Sequence, residues 1–229
     1  MEGTPTRRGG LRACLLSGGN SLRMGSDKGQ LRHPQGGNWL RHSLVLLMKL
    51  RIPITVFSQH SAHLRQARSM AAELGAQLQA IEEPAPREGP LLALARLMNR
   101  YGGDNLLLCP VDMPWLEESS LRALATAAER CPGTIHISHD GTRPQPLLGI
   151  YPASQVHSHV LAEVLATGDR RLMAWIEAVG FLTVPLAPNV LRNANRPQDL
   201  SQLWGHPARA WSHTQSATTW APPSPNSSS

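Results

Sequence analysis

Short apolar runs alternate with segments of helical periodicity along most of this 229-residue chain, and that alternation restricts the fold more than any other feature. Strand-length runs separated by helix-length segments need crossover connections, so they build a mostly parallel sheet with helices on both faces. The runs at 12–16, 54–57, 77–81, 105–109, 134–138, 147–151 and 181–186 read as strands. Between them, Leu40, Leu44, Leu47 and Met48 share one helical face, as do Leu64, Ala67, Ala71 and Leu74. Pro90 suits the first turn of a helix with Leu91, Leu94, Met98 and Tyr101 inward, because its missing N–H costs nothing there. Further helices are expected at 117–130, through Val156, Val160, Leu161 and Val164, at 171–178, and after Pro197. The expected fold class is α/β, a single doubly wound sheet.

One domain over 11–204 accounts for the pattern, with a flexible segment at 1–10 before it. From Gly205 the Pro, Ser, Thr and Ala content rises and periodicity is lost, which predicts a disordered tail over 205–229. Trp211 and Trp220 in that tail read either as a docking motif or as part of a tolerated extension. Cys14 and Cys109 fall inside apolar runs, as expected of small core residues in a reduced, intracellular protein. No apolar run has membrane-spanning length, and 1–10 lacks the hydrophobic stretch of a signal peptide, so a soluble, cytoplasmic protein without membrane partners is expected. The net charge of +6 favours anionic ligands. Aromatic residues are only 4% and do not interleave with basic ones, which argues against nucleic acid as the partner.

After the first strand the chain reads Leu15-Leu16-Ser17-Gly18-Gly19-Asn20-Ser21-Leu22-Arg23-Met24-Gly25-Ser26-Asp27-Lys28. Gly18-Gly19 lets the backbone turn and approach a ligand closely, and successive N–H groups in such a turn form an anion-binding nest. Arg23 and Lys28 add fixed positive charge. The spacing is not the G-x-G-x-x-G of dinucleotide-binding loops, nor does Lys28 directly follow a glycine as a Walker A loop requires. The run resembles the L-x-G-G-x-S-x-R-M-G-x-D-K signature of the nucleotidyltransferase family, in the form found in molybdenum cofactor guanylyltransferases.

Two later segments strengthen that resemblance. Cys109-Pro110-Val111-Asp112-Met113-Pro114 is similar to the family's P-C-D-x-P, with Val111 in place of a frequent cysteine at a core-facing position. Asn193-Ala194-Asn195-Arg196-Pro197-Gln198-Asp199-Leu200 is similar to its closing N-x-N-x-P-x-D-L. In a doubly wound sheet ligands bind beyond the carboxyl ends of the strands, where strand order reverses, which would bring Asp112 beside the glycine loop. Position alone also allows Asp112 to cap the helix after Pro114, and Asn195 or Arg196 to lie at the cap of the one opened by Pro197.

The resemblance implies an enzyme that transfers GMP from GTP to molybdopterin and releases pyrophosphate. It implies Leu16, Ser17, Gly18, Gly19, Lys28, Glu83 and Asp112 as the GTP site, with Lys28, Arg23 and Asp112 catalytic. Mg²⁺ would be held by Asp112 and Asn195. Arg143, Arg170, Arg171 and Asn193 would meet the acceptor, although a solvated surface role suits the arginines equally. Glu83 stands where the family has an aspartate, Leu92-Ala93 where it has Ala-Gly, and Phe57-Ser58 where an asparagine is frequent. Molybdenum-insertion proteins and molybdoenzymes are the implied partners. Transfer from CTP, a sugar-phosphate acceptor, or a carrier without chemistry are the competing expectations. The histidine pairs His60/His63, His136/His139 and His157/His159 lack a third metal ligand at suitable spacing.

Overall fold

The structure, a computed structural model, describes residues 9–19, 27–86, 88–195 and 199. Residues 1–8 of the expected flexible start, the expected tail over 205–229, the helix expected after Pro197, and Arg23 lie outside the described residues. Seven strands form one sheet in the order β3-β2-β1-β4-β6-β5-β7. Their spans are β1 Leu11–Leu16, β2 Ile54–Ser58, β3 Leu78–Glu82, β4 Asn105–Pro110, β5 Ile135–His139, β6 Pro144–Pro152 and β7 Phe181–Pro185. Only β6 runs against the others, pairing antiparallel with both β4 and β5. The helices are α1 Trp39–Met48, α2 Ser61–Leu74, α3 Pro90–Arg100, α4 Glu118–Arg130, α5 Gln155–Ala166 and α6 Leu172–Val179.

The pleat sorts the core into two layers, because successive strand side chains point to opposite faces. Ala13, Leu15, Leu107 and Cys109 pack with Leu40, Leu44 and Leu47 of α1, Ala67 and Met70 of α2, and Leu121 and Leu124 of α4. Cys14, Leu106 and Leu108 pack on the other side with Leu91 and Leu94 of α3, Leu161 of α5 and Trp175 of α6. Burial pushes the thiols of Cys14 and Cys109 up to about 12, so both behave as small apolar groups.

Three helix faces differ from the sequence expectation. On α2 the buried residues are His63, Leu64, Ala67 and Met70, whereas Leu74 is exposed beside the C-cap Gly75. On α5 Val156 is exposed, and His157 and Leu161 turn inward. Tyr101 is the C-cap of α3 and half-buried, its hydroxyl donating to Gln79 Oε1 and accepting from Thr55 Oγ1, both at 2.9 Å. Each reflects tertiary contacts overriding an apolar period.

The path β1-α1-β2-α2-β3 fills one side of β1, and α3 then carries the chain back to place β4 on the other. Strand order therefore reverses between β1 and β4, and a crevice opens beyond their carboxyl ends.

Candidate active site

The glycine loop leaves β1 at Ser17, and Asp112 follows the end of β4. The two ends are joined where Val111 N–H donates to Leu16 O at 3.2 Å. A third segment closes on them, since Ala194 N–H donates to Asp112 O at 3.0 Å. Motifs that lie far apart in sequence thus meet at one rim. Asp112 does not cap the following helix, because α4 begins at Glu118 with Glu117 at its N-cap.

A cavity of about 350 Å³ opens there, and Leu16, Ser17, Gly18, Gly19, Lys28, Glu83 and Asp112 all line it. Lys28 rides on a single 3-10 turn, Lys28–Gln30, capped by the Asp27 carboxylate. Its Nζ donates to Asp112 Oδ2 at 2.9 Å and to Asn195 Oδ1 at 2.6 Å. With the Lys28 side chain only 13% exposed, the ammonium is held between one charged and one neutral oxygen. Glu83 is buried on the far wall, and a Cβ at Gly18 would meet its Oε2 at 2.5 Å. The bare backbone at 18 therefore packs directly against that carboxylate.

Two polar atoms at the cavity are buried without a hydrogen-bond partner among the described residues, Ser17 Oγ and Asp112 Oδ1. Buried polar atoms are rarely left so, and such orphans call for a ligand or ion. A carboxylate oxygen beside an amide oxygen is a donor set for a hard cation.

The other expected residues sit elsewhere. Arg143 is exposed beside Asp140, with Nε 3.7 Å from Oδ2. Arg170 donates to the Glu88 carboxylate and to Leu165 O. Arg171 is bonded to both oxygens of Asp169. None of the three lines the cavity. Asp140 and Asp169 are held down at about 2, the first by the Arg143 backbone N–H, the second by the Arg171 side chain. Asn193 is half-buried next to Ala194. Among the described residues no group of three or more His, Cys, Asp or Glu is placed to hold a metal, so the histidine pairs form no such cluster.

Sequence reasoning missed Gln59. Its Nε2 donates to Gly18 O, and it lines the cavity. Phe57 and Ser58, where a counterpart was sought, belong to β2, whose last residue is Ser58. The first residue beyond a strand's carboxyl end was the signal that could have found it. Asp27 and His63 were missed as well: Asp27 lines the cavity, and His63 lies behind it with Nε2 2.9 Å from Asp27 Oδ1.

A family model described as the MobA-like NTP transferase domain matches residues 13–182. The chain belongs to that family. It is thereby a nucleotidyltransferase, of the molybdenum cofactor guanylyltransferase type. It is 32% identical over 198 residues to the probable molybdenum cofactor guanylyltransferase of Rhodopirellula baltica, covering 83% of this chain and 90% of that one. It is 25% identical over 193 residues to the molybdenum cofactor guanylyltransferase of Shewanella amazonensis, covering 83% and 94%. Among solved structures it is similar to molybdopterin-guanine dinucleotide biosynthesis protein A from Archaeoglobus fulgidus, with TM-score 0.64 and 18% identity over 84% of this chain and 96% of that one. The 4-diphosphocytidyl-2C-methyl-D-erythritol synthase of Anaerococcus prevotii shares the fold at TM-score 0.68 and 10% identity, covering 86% and 95%. The family's sheet is the doubly wound one described above.

Proposed function

We propose that the chain transfers GMP from GTP to molybdopterin, forming the guanine dinucleotide form of the cofactor and releasing pyrophosphate. The observation that carries this reading is the convergence of Lys28, Asp112 and Asn195 on one point of the glycine-loop cavity. An oxygen of the acceptor's phosphate attacks the α-phosphorus of GTP, and the bond from that phosphorus to the bridging oxygen of the β-phosphate breaks. The attacking monoester is already anionic near neutral pH, so no protein nucleophile and no strong base are needed. Positioning and charge carry the catalysis.

Backbone N–H groups of Gly18 and Gly19 hold the phosphates, and Lys28 and Arg23 offset the negative charge around the reacting phosphorus. Asp112 Oδ1, buried without a partner among the described residues, and the amide oxygen of Asn195 would hold Mg²⁺. When bound, Mg²⁺ supplies Lewis-acid neutralisation of charge on the departing pyrophosphate. The arginines at 143, 170 and 171 and Asn193 form the acceptor side. No helix among the described residues is long and apolar enough to cross a membrane. We place the reaction in the cytoplasm, with molybdenum-insertion proteins and molybdoenzymes as downstream partners.

Guanine presents N1–H and an exocyclic amine as donors, which the Glu83 carboxylate and strand-end carbonyls beside Leu16 and Ser17 can accept. Cytosine would leave such acceptors unpaired. Pyrophosphate release is measured with Mg²⁺, molybdopterin and each of GTP, CTP, ATP and UTP. The expected preference for GTP is about a hundredfold or more. Comparable rates with CTP, or turnover only with a sugar phosphate, would overturn the assignment, and no release with any nucleotide would favour a carrier.

A further inference from the structure

His63 is buried on α2 with 1% of its surface exposed, and its imidazole meets three groups at the base of the cavity. Nε2 stands 2.9 Å from Asp27 Oδ1, while Nδ1 stands 3.0 Å from Ser17 O and 3.1 Å from Ser58 Oγ. The Asp27 carboxylate is an acceptor, which assigns a proton to Nε2. Ser58 Oγ lies 3.1 Å from Ser17 O as well, so its single hydroxyl proton serves as the donor shared between that carbonyl and the unprotonated Nδ1. The opposite end of the ring contacts the turn that carries Lys28, because Asp27 Oδ1 also accepts the Gly29 N–H at 2.9 Å. One ring therefore links the residue where the glycine loop leaves β1 to the cap of the turn that bears the ammonium.

Gly29 fits this arrangement from the other side. A Cβ at 29 would lie 2.5 Å from His63 Nε2 and 2.7 Å from Cε1, so only a glycine lets the turn rest on the ring. The imidazole is bounded by partners at both nitrogens and by bare backbone at its edge, and it does not line the cavity itself.

We infer that His63 is a positioning residue, which through Asp27 fixes the turn that aims Lys28 Nζ at Asp112 and Asn195 and through the Ser17–Ser58 pair sets the take-off of the glycine loop. This rests on the reading of Lys28 as the cation at the reacting phosphorus. Lys28 can reach both oxygens only while its turn is held, and small displacements of a reacting group are costly: a shift near 1 Å can lower a rate by about a hundredfold.

The test is pyrophosphate release at saturating GTP, Mg²⁺ and molybdopterin, with melting temperature measured in parallel. His63→Leu is expected to lower kcat by about tenfold or more while the KM for GTP changes less than about threefold. His63→Gln, whose amide N–H can reach Asp27, is expected to recover most of that rate. Gly29→Ala drives a methyl group into the ring and should lower kcat likewise, yet add nothing in a His63→Ala background, as expected for coupled neighbours. A parental kcat in His63→Leu, equal losses in His63→Leu and His63→Gln, or additive losses from Gly29→Ala and His63→Ala would overturn the inference. If His63→Leu does not fold, Gly29→Ala and Asp27→Asn carry the test, and full activity in both overturns it. Lys28→Ala run alongside separates the two readings: a parental kcat there removes the reaction centre, whereas a large loss there with active His63 variants removes only the positioning role.

Discussion

Strands β3-β2-β1-β4 and strands β6-β5-β7 share one sheet and meet one rim, where β6 begins and the other six end, but the two groups present different chemistry there. On the first side the charged groups are half-buried and pinned. Lys28 is 13% exposed and bonded to Asp112 and Asn195, and the glycine loop starts over a buried His63 and Ser58. On the second side Arg143 and Arg171 have side chains 74% and 80% exposed, and each arginine pairs with a carboxylate of a surface loop. Exposed pairs of this kind are screened by water and contribute little net stability, so exchanging a carboxylate for a phosphate there costs little. Among the described residues, the side proposed to hold the nucleotide keeps its charged groups in fixed mutual bonds, while the side proposed to meet the acceptor carries exposed cations whose partners are easily exchanged.

The comparison breaks first at Asp112. Asp112→Asn keeps the shape of the side chain but removes its charge, and kcat is expected to fall by about a hundredfold or more while GTP binding partly survives. Pyrophosphate release and equilibrium GTP binding measure the two separately. A kcat within about tenfold of the parent would leave Asp112 a structural residue.

On the second side the expected effects are smaller and of another kind. Arg170→Ala and Arg171→Ala should each raise the KM for molybdopterin by up to about tenfold, the worth of one charged hydrogen bond less its lost surface pair. The KM for GTP should not move. Were kcat to fall by a hundredfold instead, the acceptor side would be as rigid a part of the reaction centre as Lys28.

Acid should weaken the nucleotide side through its stacked histidines. The His33 and His42 rings lie 3.7 Å apart, and His33 Nε2 donates to Pro114 O in the loop after Asp112, its Nδ1 accepting from Gln35 N. Burial pushes His42 down to about 4, with the neighbouring His33 and Lys49 adding to it. The folded state thus binds fewer protons than the unfolded state between pH 6.5 and about 4, and stability is lost as pH falls through that window. The contribution is on the order of 1 kcal/mol per pH unit, and urea unfolding of His42→Leu should show a flatter slope there. An unchanged slope would mean that other groups carry the acid loss. Asp140 and Asp169, held at about 2, lose their local hydrogen bonds only as pH falls below the ordinary carboxylate range.

Much of this was legible in the sequence for identifiable reasons. Short apolar runs and a first-turn Pro90 mark strand and helix positions because burial period and backbone chemistry are local properties. Asp112 and Lys28 were legible because the doubly wound topology forces distant loops to one rim. Gln59 and His63 were not, because their roles come from tertiary geometry. Gln59 depends on where β2 stops, and His63 turns inward where the apolar period of α2 pointed to Leu74. The Asn193–Asn195 segment was legible by its motif, but the backbone bond that docks it, Ala194 N to Asp112 O, is tertiary and no side-chain pattern reports it.

Lys28 is proposed to act on the reacting phosphorus rather than merely to hold the nucleotide. That role is tested most directly by kcat and KM for GTP in Lys28→Ala, with Mg²⁺ and molybdopterin saturating. The expected result is a fall in kcat of about a hundredfold or more, the effect of removing one electrostatic donor at the reacting phosphorus, with KM changed only a few-fold. A kcat close to the parent with a raised KM alone would make Lys28 a binding residue and contradict the account.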